Sequence, residues 1–144
     1  MTFTELPILL LVFHPEVIAA ALTDDKVQIM ILELGANDIL RGQDLRLTKK
    51  NLAAIIEKAQ AKKIEVILAG MEAPTNWGED YQRAAHNVFV ELAQQYKLKL
   101  IPFFLTNVAG KAELNQNDGI HPNVQGTGIV LDNVWQVLEP MLKK

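Results

Sequence analysis

The 144-residue chain contains no cysteine and no serine. The absence of cysteine excludes disulfide bonds, thiolate metal sites and cysteine nucleophiles. The absence of serine means that these residues alone cannot complete a mechanism built on a serine nucleophile. Basic residues are also few, because 14 Lys and Arg stand against 17 Asp and Glu and leave a net charge of −3. That balance offers no basic face for nucleic acid.

The residues that are present suit one folded domain. Hydrophobic residues make up 49% of the chain and charged residues 22%, which is close to the average for a soluble protein. The length also fits a single domain. No repeat, low-complexity tract or linker interrupts the sequence, so we expect one hydrophobic core.

One long apolar run lies near the N-terminus, at residues 7–13 (Pro-Ile-Leu-Leu-Leu-Val-Phe). It is too short to span a bilayer, which takes about 20 residues. It also lacks the preceding basic residue and the small-residue cleavage site of a signal peptide. We therefore expect no membrane span, a cytoplasmic location for the chain as given, and a buried strand at this run.

From residue 15 onward, strand and helix patterns alternate. Strands are predicted at 27–34, 64–69 and 98–104, with an edge position or an early end at Pro102. Four helices are predicted. The first covers residues 15–22, and the second begins at a cap at Thr48 and has the apolar stripe Leu52, Ile55, Ile56 and Ala59. The third covers residues 81–96, and the fourth begins at a cap at Asn123. This alternation predicts an α/β fold with a parallel sheet. In such sheets, ligands bind outside the carboxyl ends of the strands.

Two polar clusters fall where that rule places a site. The first is Gly35-Ala36-Asn37-Asp38, directly after the strand at 27–34. Glycine permits a tight turn there, and the amide of Asn37 can donate a hydrogen bond into the crevice. The alternative interpretation is an ordinary Asx turn after a strand.

The second cluster is Asp118-Gly119-Ile120-His121-Pro122-Asn123, just before the last helix. An aspartate three residues before a histidine can accept a hydrogen bond from the imidazole, which fixes its tautomer and stabilises the imidazolium. This pair is the orienting half of a general-base device. The alternative is a helix-entry loop in which both side chains only satisfy backbone groups.

Together, the two clusters resemble two sequence blocks of the SGNH (GDSL-type) hydrolase superfamily. The segments 31–42, 69–78 and 101–105 are similar to its arylesterase, lysophospholipase and thioesterase branch, and the resemblance covers residues 18–142. It implies a flavodoxin-like three-layer α/β/α fold and hydrolysis of carboxylic esters or thioesters. It implies no metal and no organic cofactor.

The resemblance also implies roles for individual residues. Asn37 corresponds to the side-chain donor of the oxyanion hole, and Gly35 shapes that loop. His121 corresponds to the general base and Asp118 to its orienting partner. The loop 71–78 is expected to line the acyl-binding crevice, with the substrate-binding candidates Met71, Pro74 and Asn76.

The family's Gly-Asp-Ser-Leu block, which carries the nucleophile, has no counterpart here. Only 34 residues precede Gly35, and none of them is serine or glycine. We therefore expect an N-terminally truncated domain, with residues 1–14 as an unmatched leader and 15–144 as the incomplete hydrolase domain. The threonines at positions 2, 4 and 23 lie in no Gly-flanked strand-to-helix turn, so substitution by threonine is disfavoured.

The missing block also removes the family's first strand, which lies inside a sheet of order 2-1-3-4-5. Its loss would leave the strand at 27–34 as an apolar edge open to self-association. We predict that residues 7–13 pair with this edge as a substitute strand, with 14–26 as the crossover.

We thus expect an ester or thioester hydrolase domain that is inactive alone, with a small acyl ester or lysolipid-like ligand. The alternatives are a non-catalytic acyl- or lipid-binding module and a truncated gene remnant. Many relatives in the family are exported, so the compartment of the intact protein stays open.

Overall fold

The fold is seen in a computed structural model, which describes residues 8–11 and 26–143. The strands are β1 (Ile8–Leu11), β2 (Ile29–Leu32), β3 (Glu65–Ala69) and β4 (Lys99–Ile101). The helices are α1 (Ala36–Leu40), α2 (Leu45–Ala61), α3 (Glu79–Tyr96) and α4 (Val124–Leu142). Two short 3-10 turns, Thr75–Trp77 and Ala112–Leu114, lie in the loops.

The four strands form one parallel sheet in the order β1-β2-β3-β4. Parallel neighbours need crossover connections, and the helices α2 and α3 lie in the connections that follow β2 and β3. Because the strands are parallel, the loops that leave their carboxyl ends emerge at the same edge of the sheet. That edge is where the fold places a ligand site.

Helices pack against both faces of the sheet. On one face, Met30 and Leu68 are buried in a cluster with residues of α2 and α3, including Phe89. On the other face, Ile31 and Ile67 are buried with Leu138 of α4 and its neighbours. Alternate residues of β2 and β3 thus point to opposite layers. The predicted three-layer α/β/α parallel fold is confirmed.

The predicted stripe of α2 is confirmed, but the predicted cap is wrong. The stripe residues Leu52, Ile55, Ile56 and Ala59 are all buried. The helix begins three residues before Thr48, and Asp44 caps it by accepting a hydrogen bond from the Arg46 backbone N–H at 2.9 Å. Asp and Thr are both favoured at N-caps, so residue type alone did not decide between them.

The third predicted strand, at 98–104, is shorter in the structure and ends at Ile101. Pro102 follows directly, where a proline cannot donate to the ladder. Gly70 is required at this point, because a Cβ there would lie 2.3 Å from the Pro102 carbonyl oxygen. The close approach lets Gly70 N–H donate to the Ile101 carbonyl at 2.8 Å. β4 is the predicted edge strand.

The N-terminal strand lies beside β2. Ile8–Leu11 pairs with Ile29–Leu32 in parallel, so β2 is an interior strand and not the open edge expected without such pairing. This is the pairing predicted for residues 7–13, over the four residues that the structure describes. The helix predicted at 15–22 lies outside the described residues. No described helix has the length and apolar character needed to cross a membrane.

Candidate active site

A cleft of about 720 Å³ opens at the carboxyl ends of the strands. Its walls come from three stretches of chain, the segment after β2, the loop after β3 and the loops between β4 and α4. Both polar clusters from the sequence contribute to it, through Asn37 and His121. Apolar side chains form much of the rest, including Leu40, Phe104 and Ile120.

Gly35 turns the chain from β2 into α1. Its φ of +97° is a left-handed conformation that favours glycine. A Cβ at this position would also lie 3.3 Å from the Thr48 side chain and 3.5 Å from Phe89. The turn therefore depends on glycine for its backbone conformation and for the close packing beneath it.

Asn37 occupies the first turn of α1 and is exposed in the cleft wall. Within the described part of the chain, its side-chain amide makes no hydrogen bond, so its N–H groups can serve a ligand. The neighbouring Asp38 instead accepts a hydrogen bond from Thr48 Oγ1 at 3.0 Å. This bond ties α1 to α2 and leaves Asn37 as the polar side chain of the cluster that faces the cleft.

Asp118 and His121 form a short pair, with His121 Nδ1 2.6 Å from Asp118 Oδ2. The other carboxylate oxygen accepts hydrogen bonds from the backbone N–H groups of Ile120 and His121, both at 3.0 Å. The bond from His121 and then these backbone bonds lower the pKa of Asp118 to about 2. The carboxyl is therefore ionised at neutral pH. The engaged Nδ1 leaves Nε2 as the imidazole nitrogen for proton transfer.

The loop that carries this pair is anchored at both ends. The backbone N–H of Gln116 donates to the His121 carbonyl at 2.7 Å, which closes the loop on itself. Asn123 caps α4, with its Oδ1 accepting from Gly126 N–H at 3.0 Å and its Nδ2 donating to the Glu113 carbonyl. The predicted cap at Asn123 is confirmed. This cap holds the loop that carries His121 against the N-terminus of α4.

A second carboxyl, that of Glu33, lines the same cleft. It follows β2 directly, and no hydrogen bond to it is seen among the described residues. Burial raises its pKa from 4.5 to about 7, while positive charge on His121 acts in the opposite direction. Sequence reasoning passed over Glu33, although a lone acid in the apolar run Ile31-Leu32-Glu33-Leu34 is a signal that could have identified it.

The loop after β3 forms the opposite wall. Met71 and Pro74 line the cleft, whereas Asn76 is exposed and does not line it. The 3-10 turn places Trp77 against the end of α1, where its indole N–H donates to the carbonyl of Leu40, the last residue of the helix, at 3.2 Å. Asn76 thus lies in a turn that contacts the end of α1 through a different side chain.

The structure therefore brings five predicted site residues together around one cleft: Gly35, Asn37, Met71, Pro74 and His121. Asp118 does not line the cleft and contacts it through its hydrogen bond with His121. In residues 8–11 and 26–143, no group of three or more His, Cys, Asp or Glu side chains could hold a metal ion. The arrangement supplies a hydrogen-bond donor, an oriented imidazole and an apolar wall. This set suits acyl transfer, which needs an oxyanion donor and a general base.

Comparisons with known proteins identify a matching family and related structures. Residues 7–129 match the GDSL-like lipase/acylhydrolase family. The match begins at residue 7, within the segment 1–14 that the sequence motifs had left unmatched. It ends after the Asp118–His121 loop and so includes both polar clusters.

Individual relatives carry related names. The chain is 40% identical to an esterase, TesA, of Pseudomonas aeruginosa over 85% of this chain and 61% of that protein. It is 33% identical to a thioesterase 1/protease 1/lysophospholipase L1 of Escherichia coli K12, over 78% of this chain and 54% of that protein. The chain thus spans little more than half the length of these curated relatives.

A solved structure shares the fold. The psychrotrophic esterase EstA from a Pseudoalteromonas species, in a form inhibited by monoethylphosphonate, superposes with a TM-score of 0.82 at 29% identity. The similarity covers 90% of this chain and 70% of that one.

Proposed function

The chain belongs to the GDSL-like lipase/acylhydrolase family of esterases, thioesterases and lysophospholipases, and from that premise we propose that its cleft is an acyl-ester site without a nucleophile of its own. The observation that carries the proposal is the 2.6 Å bond between His121 and Asp118 in a cleft that Asn37 also lines. The substrate class is a small carboxylic ester or thioester.

In this proposal, each polar residue has a defined part in acyl transfer. Asn37 donates a hydrogen bond to the oxygen that becomes negative in the tetrahedral intermediate, a contribution typically worth about 10²–10³ in rate. When a nucleophilic hydroxyl group is supplied from outside these residues, His121 accepts its proton at Nε2 as the hydroxyl oxygen bonds to the acyl carbon, and then gives that proton to the leaving alcohol or thiol. Asp118 holds the imidazole tautomer and stabilises its charged form. Gly35 sets the turn that presents Asn37.

The 144 residues contain no serine and no cysteine, so we propose that they do not turn over an ester alone. Loss of the nucleophile from a serine triad costs about 10⁶ in rate. A serine-directed probe tests this directly, because an activated ethyl phosphonate forms a covalent adduct with an activated hydroxyl group. We expect no mass increase on incubation with a fluorophosphonate. An adduct on a threonine would identify a nucleophile and overturn the proposal.

A second candidate function is non-catalytic binding of acyl or lipid groups. The size and walls of the cleft favour it, because about 720 Å³ lies within the usual range for small-molecule sites, and Leu40, Met71, Phe104 and Ile120 supply apolar surface. Octanamide is a suitable uncharged probe. We expect it to shift the NMR signals of Asn37, Ile120 and His121 saturably. The absence of both binding and labelling would favour a gene remnant.

Self-association through a sheet edge stays a proposal. β2 is interior, so the outer sides of β1 or β4 would have to carry the contact. Sedimentation velocity over a range of protein concentrations tests it, and a monomer at every concentration would contradict it.

A further inference from the structure

Glu33 occupies an unusual position for an acid. It follows Leu32 at the carboxyl end of β2 and lies two residues beyond Ile31, whose side chain packs on the α4 side of the sheet. The loop that carries His121 leads directly into α4. Glu33 and His121 therefore reach the same cleft, one from the strand and the other from the helix entry.

The carboxyl of Glu33 differs from the other acids near the cleft in having no partner among the described residues. Glu72 also lines the cleft, but its Oε1 lies 2.7 Å from His86 Nδ1. Asp118 is held by His121 and by two backbone N–H groups. The electrostatic influence on Glu33 comes from His121, whose positive charge would lower the pKa of Glu33.

A half-buried carboxyl without a partner controls which ligands an apolar cleft accepts. When the carboxyl is neutral, an uncharged acyl group and a carboxylate can both approach. When it is ionised, its charge repels a carboxylate strongly, because the low dielectric of a cleft screens charge poorly. Ester hydrolysis converts an uncharged acyl group into a carboxylate, so the two ligands are substrate and product of the proposed chemistry.

We propose that Glu33 is a specificity-determining residue that makes the cleft favour uncharged acyl groups over the corresponding carboxylates. The proposal rests on the proposed function, because it takes the cleft to be the acyl site. In a complete enzyme, the same charge would assist release of the acid product.

The raised pKa of Glu33, about 7, places the change of selectivity near neutral pH. If a carboxylate binds only while Glu33 is protonated, its apparent affinity follows the protonated fraction of Glu33. That fraction falls about tenfold between pH 6 and pH 8 for a pKa of about 7. An uncharged ligand should show no comparable change.

The test compares octanoate with octanamide by isothermal titration calorimetry at pH 6 and pH 8. We expect the affinity for octanoate to fall about tenfold over this interval in the unmodified chain, while the affinity for octanamide stays constant. Glu33→Gln should remove most of the fall, and Glu33→Asp should keep it. Glu91→Gln removes a carboxyl that is paired with Lys49 and lies outside the cleft lining, so this variant should behave like the unmodified chain.

Positive charge on His121 would also attract a carboxylate, so its contribution has to be separated. In a His121→Gln background, Glu33→Gln should still weaken the pH dependence of octanoate binding. Because positive His121 lowers the pKa of Glu33, the His121→Gln background should also move the midpoint to higher pH. An equal pH dependence with and without the Glu33→Gln substitution in this background would overturn the proposal.

The outcomes also separate this inference from the proposed function. If octanamide fails to bind, the acyl site is wrong and the inference falls with it. If octanamide binds and Glu33→Gln leaves octanoate binding at pH 8 unchanged, only the inference is overturned. Circular dichroism of each variant confirms that the fold is retained.

Discussion

Two carboxyl groups interact with His121, and their surroundings give them opposite properties. Asp118 is exposed in a loop and accepts three hydrogen bonds, which lower its pKa to about 2. Glu33 lies at the end of a buried strand without a hydrogen bond from the described residues, and burial raises its pKa to about 7. Hydrogen bonds and desolvation thus shift the pKa values of two similar carboxyl groups in opposite directions at one site.

The difference shows that the loop before α4 and the end of β2 control the charge of their carboxyl groups in different ways. The loop before α4 uses polar contacts to hold a permanent negative charge beside one imidazole nitrogen. The end of β2 uses the apolar sheet to hold a carboxyl that is neutral or charged near neutral pH. Pairs of carboxyls with separated pKa values are typical of sites that handle protons.

The largest expected effect is the separation of the two titrations. Carboxyl ¹³C NMR should show a midpoint near 2 for Asp118 and near 7 for Glu33. His121→Gln removes the main cause of the low value, so the pKa of Asp118 should rise towards its ordinary value of 3.8. Midpoints close to 4 for both groups in the unmodified chain would contradict the comparison.

The next effect is on the free energy of unfolding, which should depend on pH in opposite directions through the two carboxyl groups. A pKa that is raised on folding, as for Glu33, means that stability is lost as pH rises from 4.5 to about 7. Above that interval the cost is about 3 kcal/mol at most. Glu33→Gln should remove it, so the variant should be more stable than the unmodified chain at pH 8 and equal to it at pH 4. Urea unfolding at both pH values measures this.

Asp118 provides the opposite case for the same experiment. Its pKa is lowered on folding, so its contribution to stability is present above pH 3.8 and is lost as pH falls towards 2. Asp118→Asn should therefore destabilise the chain at pH 7. A variant that matches the unmodified chain at pH 7 would show that these hydrogen bonds contribute nothing to folding.

A smaller effect on stability is expected from substituting the glycine in each of the two regions, Gly35 after β2 and Gly119 in the loop before α4. Gly35 has a φ of +97° and packs against Thr48, whereas Gly119 has a φ of +74° and open space around it. Gly35→Ala should cost about 2–3 kcal/mol, from backbone strain and crowding, and Gly119→Ala about 1 kcal/mol from strain alone. Gly128→Ala is the control, since this helical glycine has open space and alanine should stabilise it slightly. Equal losses at Gly35 and Gly119 would argue against close packing under the first turn.

The smallest effect is expected at the entrance to α4. Asn123→Ala removes the side-chain cap and should cost about 1 kcal/mol. Asp44→Ala makes the same change at α2, outside the cleft lining, and should have a similar effect on stability. Only Asn123→Ala should also broaden the NMR signals of His121, because its side chain anchors that loop. Broadening in both variants would point to a global effect.

Much of the fold followed from the sequence because its patterns have simple physical causes. Apolar runs such as 27–34 are characteristic of strands buried on both faces, and the stripe Leu52, Ile55 and Ile56 has helical spacing. The ends of elements were less accurate. Asp44 and Thr48 compete as caps, and the close approach of Gly70 to Pro102 depends on a contact between β3 and β4 that no local pattern contains.

The candidate site could be predicted only where its residues form local motifs. The pair Asp118 and His121 is three residues apart, and Asn37 follows a strand end, so both were visible in the sequence. Glu33 is visible in the sequence as a lone acid in an apolar run, but its burial and its interaction with His121 depend on tertiary structure. Asn76 was expected in the cleft wall from its position in the loop alone, and the 3-10 turn exposes it instead.

The central claim is that this chain holds an oriented imidazole and an oxyanion donor in an acyl cleft but does not turn over an ester alone. Hydrolysis of p-nitrophenyl butyrate by the purified chain and by His121→Ala tests it most directly. The account predicts equal rates for both proteins, at the level of the buffer reaction. Turnover by the unmodified chain that His121→Ala abolishes would contradict it and would show that these residues contain a working nucleophile or activate water directly.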